Sequence, residues 1–124
     1  MAPKLTADQV RRKEEVLAFL KTTDHVGSLV TELDSNRAAK SQVIENICER
    51  IARELSHMRQ RALTTNIGTI ADVAGTMSVM AGRGGGIDMK IRGLTDGVSS
   101  LRMQLDWALK QATTPEKQTP EAPP

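Results

Sequence analysis

The sequence predicts an all-α protein: a bundle of four to five helices with a Gly-rich hairpin turn and a disordered C-terminal tail. Three observations carry this. Apolar residues recur at intervals of three and four through most of the chain, the period of a helix with one buried face. Aromatics are nearly absent, with one Phe, one Trp and no Tyr, so a core must be built from Ile, Leu, Val, Met and Ala, which suits helices packing on helices. Gly82, Gly84, Gly85 and Gly86 surround Arg83, and such a run cannot stay helical, so the chain turns there. The 124 residues make one domain at most. We assign it to residues 1–112, with 113–124 as the tail.

The first helix starts at a capping box. The Thr6 hydroxyl is placed to take an orphan backbone N–H and the Gln9 amide to reach back. The helix is expected to run to about Lys21, with Val10, Val16, Leu17, Phe19 and Leu20 as its apolar points. The run from Arg11 to Glu15 reads as a solvated face with local charge pairing. Thr22, Thr23 and Asp24 read as a stop and a new cap, opening a short helix with Val26, Leu29, Val30 and Leu33 on one face. Gly27 weakens that helix by about 1 kcal/mol relative to Ala. Asp34, Ser35 and Asn36 end it.

Residues 37–63 form the clearest amphipathic pattern. Ile44, Ile47, Cys48, Ile51, Leu55, Met58 and Ala62 make one stripe, and Glu45, Glu49, Arg50, Arg53, Arg59 and Gln60 take the other side. Thr64, Thr65 and Asn66 mark a bend or break. The segment 62–82 that follows has a single charge, Asp72. Gly68, Gly75 and Gly82 recur every seven residues, with Ala71 and Ser78 between them, a groove that a second helix backbone or a lipid chain can approach closely. Ile67, Ile70, Ala74, Met77 and Ala81 fill the adjoining stripe.

The last helix is close to a strict heptad. Ile87, Ile91, Leu94, Val98, Leu101, Leu105, Ala108 and Ala112 alternate steps of four and three. Gly93 and Gly97 lie beside this seam and are expected to face the glycines of the preceding segment. Trp107 is expected to cap the end of the bundle, or to anchor at a membrane interface. The residues from Thr113 onward hold four of the five prolines and no large apolar side chain, the composition of a disordered tail.

Chemistry is sparse. A net charge of +2 makes no case for nucleic acid. The single Cys48 forms no internal disulfide, and the N-terminus lacks the apolar run of a secretory signal. The expected location is therefore intracellular, either cytoplasmic or peripheral to a membrane. His25 and His57 have no metal-ligand spacing to Cys48 or to a carboxylate, and His57 beside the apolar stripe reads as a partly buried structural residue. Cys48 reads as a small buried hydrophobe rather than a nucleophile. The Gly-rich run has neither the spacing nor the preceding strand of a phosphate loop. We expect no catalytic residue, cofactor or metal, and no enzyme. Asp72 faces water, or else needs Arg83, Lys90 or Arg92 as a buried partner.

Residues 62–82 would reach roughly 31 Å as one helix, about the hydrocarbon thickness of a bilayer. Their threonines, glycines, Asn66, Ser78 and Asp72 make stable spanning unfavourable, and reversible insertion or burial in a bundle fits better. The order of an amphipathic helix, RELSHMRQRA, TIADVAGTMSVMAG and a Gly-rich turn into GLTDGVSS resembles the apolipoprotein L family over about residues 45–100. The matching positions are Thr69, Ile70, Ala71, Val73, Gly75, Ser78, Ala81 and Gly82. The resemblance implies a helical protein that binds lipid or inserts into membranes, in some relatives as an ion-conducting pore. The second arm of the hairpin carries Asp88, Lys90, Arg92 and Asp96 here, a departure that lipid binding at a surface survives and pore formation does not.

Two functions are therefore expected. The first is a non-enzymatic helical module for protein interaction and assembly, with itself or with another protein. Its seam would be Ile87, Ile91, Leu94, Val98, Leu101 and Leu105, packing on the stripe from Ile44 to Met58 or on partner helices. The alternative is an apolipoprotein-L-like protein that binds lipid or membrane through Gly68, Ala71, Val73, Gly75, Ser78 and Gly82.

Overall fold

A computed structural model describes residues 4–115. Among them are four helices and no strand: α1 (Ala7–Ser35), α2 (Ser41–Ala62), α3 (Ile70–Gly82) and α4 (Ile87–Thr113). Each helix packs on those adjoining it in the chain, and α1 and α4 close the ring. Neighbours are antiparallel. The start of α1 meets the end of α4 through Gln9 and Thr114, and the end of α1 meets the start of α4 through Arg37 and Asp88. The Glu32 and His25 side chains of α1 pair with Arg50 and Glu54 of α2 in reversed order. Short connections between consecutive helices dictate this up-and-down bundle.

The core is one continuous cluster. Val16, Phe19, Val26 and Leu33 come from α1, Ile51, Leu55 and Met58 from α2, Ile70, Ala74 and Met77 from α3, and Leu94, Leu101 and Leu105 from α4. Burial of these side chains drives folding, each of those larger than Ala74 contributing about 1.5–3 kcal/mol on leaving water. The Arg61 guanidinium covers the edge of this core, 5.2 Å from the centroid of the Phe19 ring.

The capping box forms as the sequence predicts. The Gln9 N–H donates to Thr6 Oγ1 at 3.0 Å, and the Thr6 N–H donates to Gln9 Oε1 at 3.0 Å. The predicted break at Thr22–Thr23–Asp24 does not: α1 is one helix of 29 residues. Thr23 is fully buried on the line Val16, Phe19, Thr23, Val26, Val30 and Leu33, and its hydroxyl donates to the Phe19 carbonyl at 2.8 Å. Thr22 bonds back to Ala18 in the same way at 3.3 Å. Both hydroxyls are satisfied inside the helix, so they do not stop it. Asp24 is held by Arg102 of α4 at 2.6 Å rather than serving as a cap.

Other boundaries also move. The second amphipathic helix begins at Ser41 rather than Arg37, after a turn in which Arg37 bridges Asp34 and Asp88. Those partners, the Asp34 hydrogen bond first, hold the Arg37 pKa above its ordinary value. The segment 62–82 is not one helix. Asn66 and Gly68 adopt positive φ of 53° and 50°, and α3 occupies only its last 13 residues. The connection is clamped from both sides. Arg12 of α1 donates to the Thr65 and Asn66 carbonyls, and Gln104 of α4 accepts from the Thr69 N–H at 2.7 Å. Ile67 plugs the core from this loop. The Gly-rich turn follows α3 where expected, with Gly85 at φ 135°. The helix α4 runs through Thr113. The assigned tail, residues 113–124, otherwise lies outside the described residues from 116 onward.

Candidate functional site

The heptad makes α4 two-faced. Ile91, Leu94, Val98, Leu101 and Leu105 are buried, and Ile87 packs against the same cluster. The predicted interaction seam is thus the core face of α4, and it lies against α1 and α3. The α2 stripe joins the same core from the diagonal position. Its Ile47, Cys48, Ile51, Leu55 and Met58 are buried and Ile44 is half-buried.

The small-residue segment divides by position. Gly68 sits in the loop beneath Gln104, and Gly82 opens to solvent. Ala71 and Val73 are half-buried against the core. Gly75 lies under the Arg59 side chain, and Ser78 donates to the Ala52 carbonyl of α2 at 2.9 Å. Gly75 and Ser78 therefore let α2 approach α3 closely, and Gly68 and Gly82 take no part in a helix groove. Gly93 and Gly97 do not face glycines. They receive the side chains of Met80 and Met77 from α3. Two long thioethers fill the space that two missing Cβ atoms leave, which locks α3 onto α4 by shape.

Polar candidates are scattered. Asp72 is exposed, with no ion pair within 4.0 Å among the described residues. It borders a shallow groove of about 790 Å³ between α2 and α3, with Arg59 and Arg83 on the same rim. His57 is exposed rather than partly buried, because it points away from the stripe that holds Met58. His25 lies 3.6 Å from Glu54 at the surface. Cys48 is buried, with Lys90 Nζ 3.9 Å from its Sγ. Among the described residues no three His, Cys, Asp or Glu side chains gather as a metal site would need. Nor is any helix there long and apolar enough to cross a membrane.

The outer face of α4 carries the feature that the sequence reading leaves unassigned. Met89, Met103 and Trp107 are 77%, 67% and 62% exposed. Met89 and Met103 are two heptads apart and Trp107 follows one turn later, so all three lie on one line opposite the buried seam. Arg92, Asp96 and Lys110 share that line. Trp107 does not cap the bundle end. It stands on this face, and with Met103 it borders an open cleft of about 1070 Å³. The cleft forms because α2 stops at Ala62 and α3 starts only at Ile70, while α4 runs on to Thr113 beside the first turns of α1. The loop residue Ile67 and Ala108 line its floor, with Arg12 and Gln104 at its edge. A second period-seven line in the sequence, Met89, Asp96, Met103 and Lys110, is the signal for this face.

Comparison of the chain with protein-family models, with curated proteins and with solved structures returned no match.

Proposed function

We propose that this chain is a non-enzymatic helical assembly module that folds through its own heptad seam and meets other protein through the outer face of α4. One observation supports the reading. The apolar stripes of all four helices are spent on the chain's own core, while the largest exposed apolar side chains of α4 are aligned on a single outward line. Scattered surface apolar residues need no explanation, but an aligned Trp and two Met on one helix have the composition of a contact surface.

The competing reading, lipid binding through residues 62–82, requires α3 to leave the bundle. Ile70, Ala74, Met77 and Ala81 would all have to abandon buried positions. Co-sedimentation with anionic phosphatidylserine-containing vesicles, at low and high salt and with circular dichroism alongside, separates the two. The module should be fully helical in buffer and remain in the supernatant. Binding that persists in high salt, raises helix content and is lost on Val73→Asp would replace this reading with the lipid one.

A further inference from the structure

We infer that the outer face of α4 pairs with the same face of a second copy of this chain, the two α4 helices running antiparallel. The inference rests on the assembly reading and names its partner. The face is self-complementary in that arrangement and in no parallel one. With the two-fold axis near Leu105, Met103 of one copy lies opposite Trp107 of the other, and the pair occurs twice. In that register Asp96 of one copy lies about one helical turn, roughly 6 Å along the axis, from Lys110 of the other, a gap that the long lysine side chain spans, again twice, one at each end of the apolar centre. A parallel pairing would set Asp96 on Asp96 and Lys110 on Lys110. Neither residue is engaged already: among the described residues no ion pair within 4.0 Å involves Asp96 or Lys110. Ser99 and Ser100 flank Met103 and leave room for the opposing indole. The flanks of α4 are taken by its own fold. Arg102 reaches Asp24 of α1 on one side, and Gln104 reaches Thr69 of α3 on the other. This leaves the outward line between them for the partner.

An interface made by one helix from each copy is small beside the roughly 1,200–2,000 Å² of stable complexes, so the dimer is expected to be reversible and to dissociate at low micromolar concentration. Sedimentation velocity of the full chain from low micromolar to several hundred micromolar tests it. The expected result is a concentration-dependent shift from monomer to dimer. Trp107→Ser and Lys110→Asp should each weaken the dimer at least tenfold, the second by setting like charges together at both ends. Adding Asp96→Lys to Lys110→Asp should restore it. These side chains are exposed, and unchanged circular dichroism and melting temperature confirm that the variants are folded. A chain that stays monomeric throughout the range overturns the inference. So does a dimer that ignores Trp107→Ser, or one that the double charge reversal fails to rescue. The assembly reading fails separately, on the vesicle result.

Discussion

Met77 of α3 occupies the notch that Gly97 leaves in α4. A Cβ built on Gly97 would overlap not only the sulfur of Met77 but also its Cγ, 2.6 Å away. Met77 is almost fully buried and has nowhere to swing. Gly97→Ala should therefore destabilise the fold by about 1–3 kcal/mol, the overpacking cost outweighing the helix propensity that Ala gains. At Gly93 the overlap is with the outer end of Met80, which is only half-buried, so Gly93→Ala should cost less. Urea unfolding of both variants gives the comparison.

Gly27 should behave in the opposite way. It lies inside α1 with ordinary helical φ, and a Cβ there would meet Val98 Cγ1 at 3.6 Å, a normal contact. Gly27→Ala should stabilise the protein by about 0.4–1 kcal/mol, through helix propensity and a less flexible unfolded chain. A raised denaturation midpoint with an unchanged m-value is the expected result.

Gln9 ties the two ends of the fold together. Its Oε1 completes the capping box, and its Nε2 donates to the Thr114 carbonyl at 2.7 Å. Gln9→Ala should lose both, costing about 1–2 kcal/mol. Amide exchange should quicken at the first turn of α1 and at the last turn of α4 together. Thr6→Ala should cost about 1 kcal/mol and affect the first turn of α1 alone.

The helical architecture was legible because the stripes are long and their period unambiguous. The lines from Ile44 to Ala62 and from Ile87 to Ala112 are both helix faces turned to the core, half-buried at Ile44 and Ile87 and buried beyond them. The expected break at Thr22–Thr23–Asp24 is absent, although these residues favour caps when exposed. A Thr that bonds back to the carbonyl four residues earlier is compatible with a buried helix interior, and only the tertiary position of Thr23 reveals which applies. The glycine repeat misled for a related reason. Equal spacing suggested one shared face, but positive φ at Gly68 removes it from the helix, and Gly93 and Gly97 proved to be sockets for methionine. The outer line of α4 is hidden in the sequence because polar residues separate Met89, Met103 and Trp107. Their alignment shows only once the seam beneath them is known to be buried.

The two faces of α4 should respond to mutation in opposite ways. Leu101→Ala, in the core, should lower stability by about 2–5 kcal/mol. Met103→Ser and Trp107→Ser, two and six residues further on, should leave it within about 0.5 kcal/mol. Thermal melts at a concentration well below the dissociation constant of the proposed dimer isolate this difference from any effect on association.

The most direct measurement uses Trp107 itself, the chain's one tryptophan. Its emission reports the solvent around the outer face of α4 and nothing else. With that face as the association surface, the spectrum of the dilute protein is that of a solvated indole, and it moves to shorter wavelength as concentration rises through the micromolar range. Met103→Ser should delay that shift. A spectrum that keeps its solvated position up to several hundred micromolar would contradict the assignment.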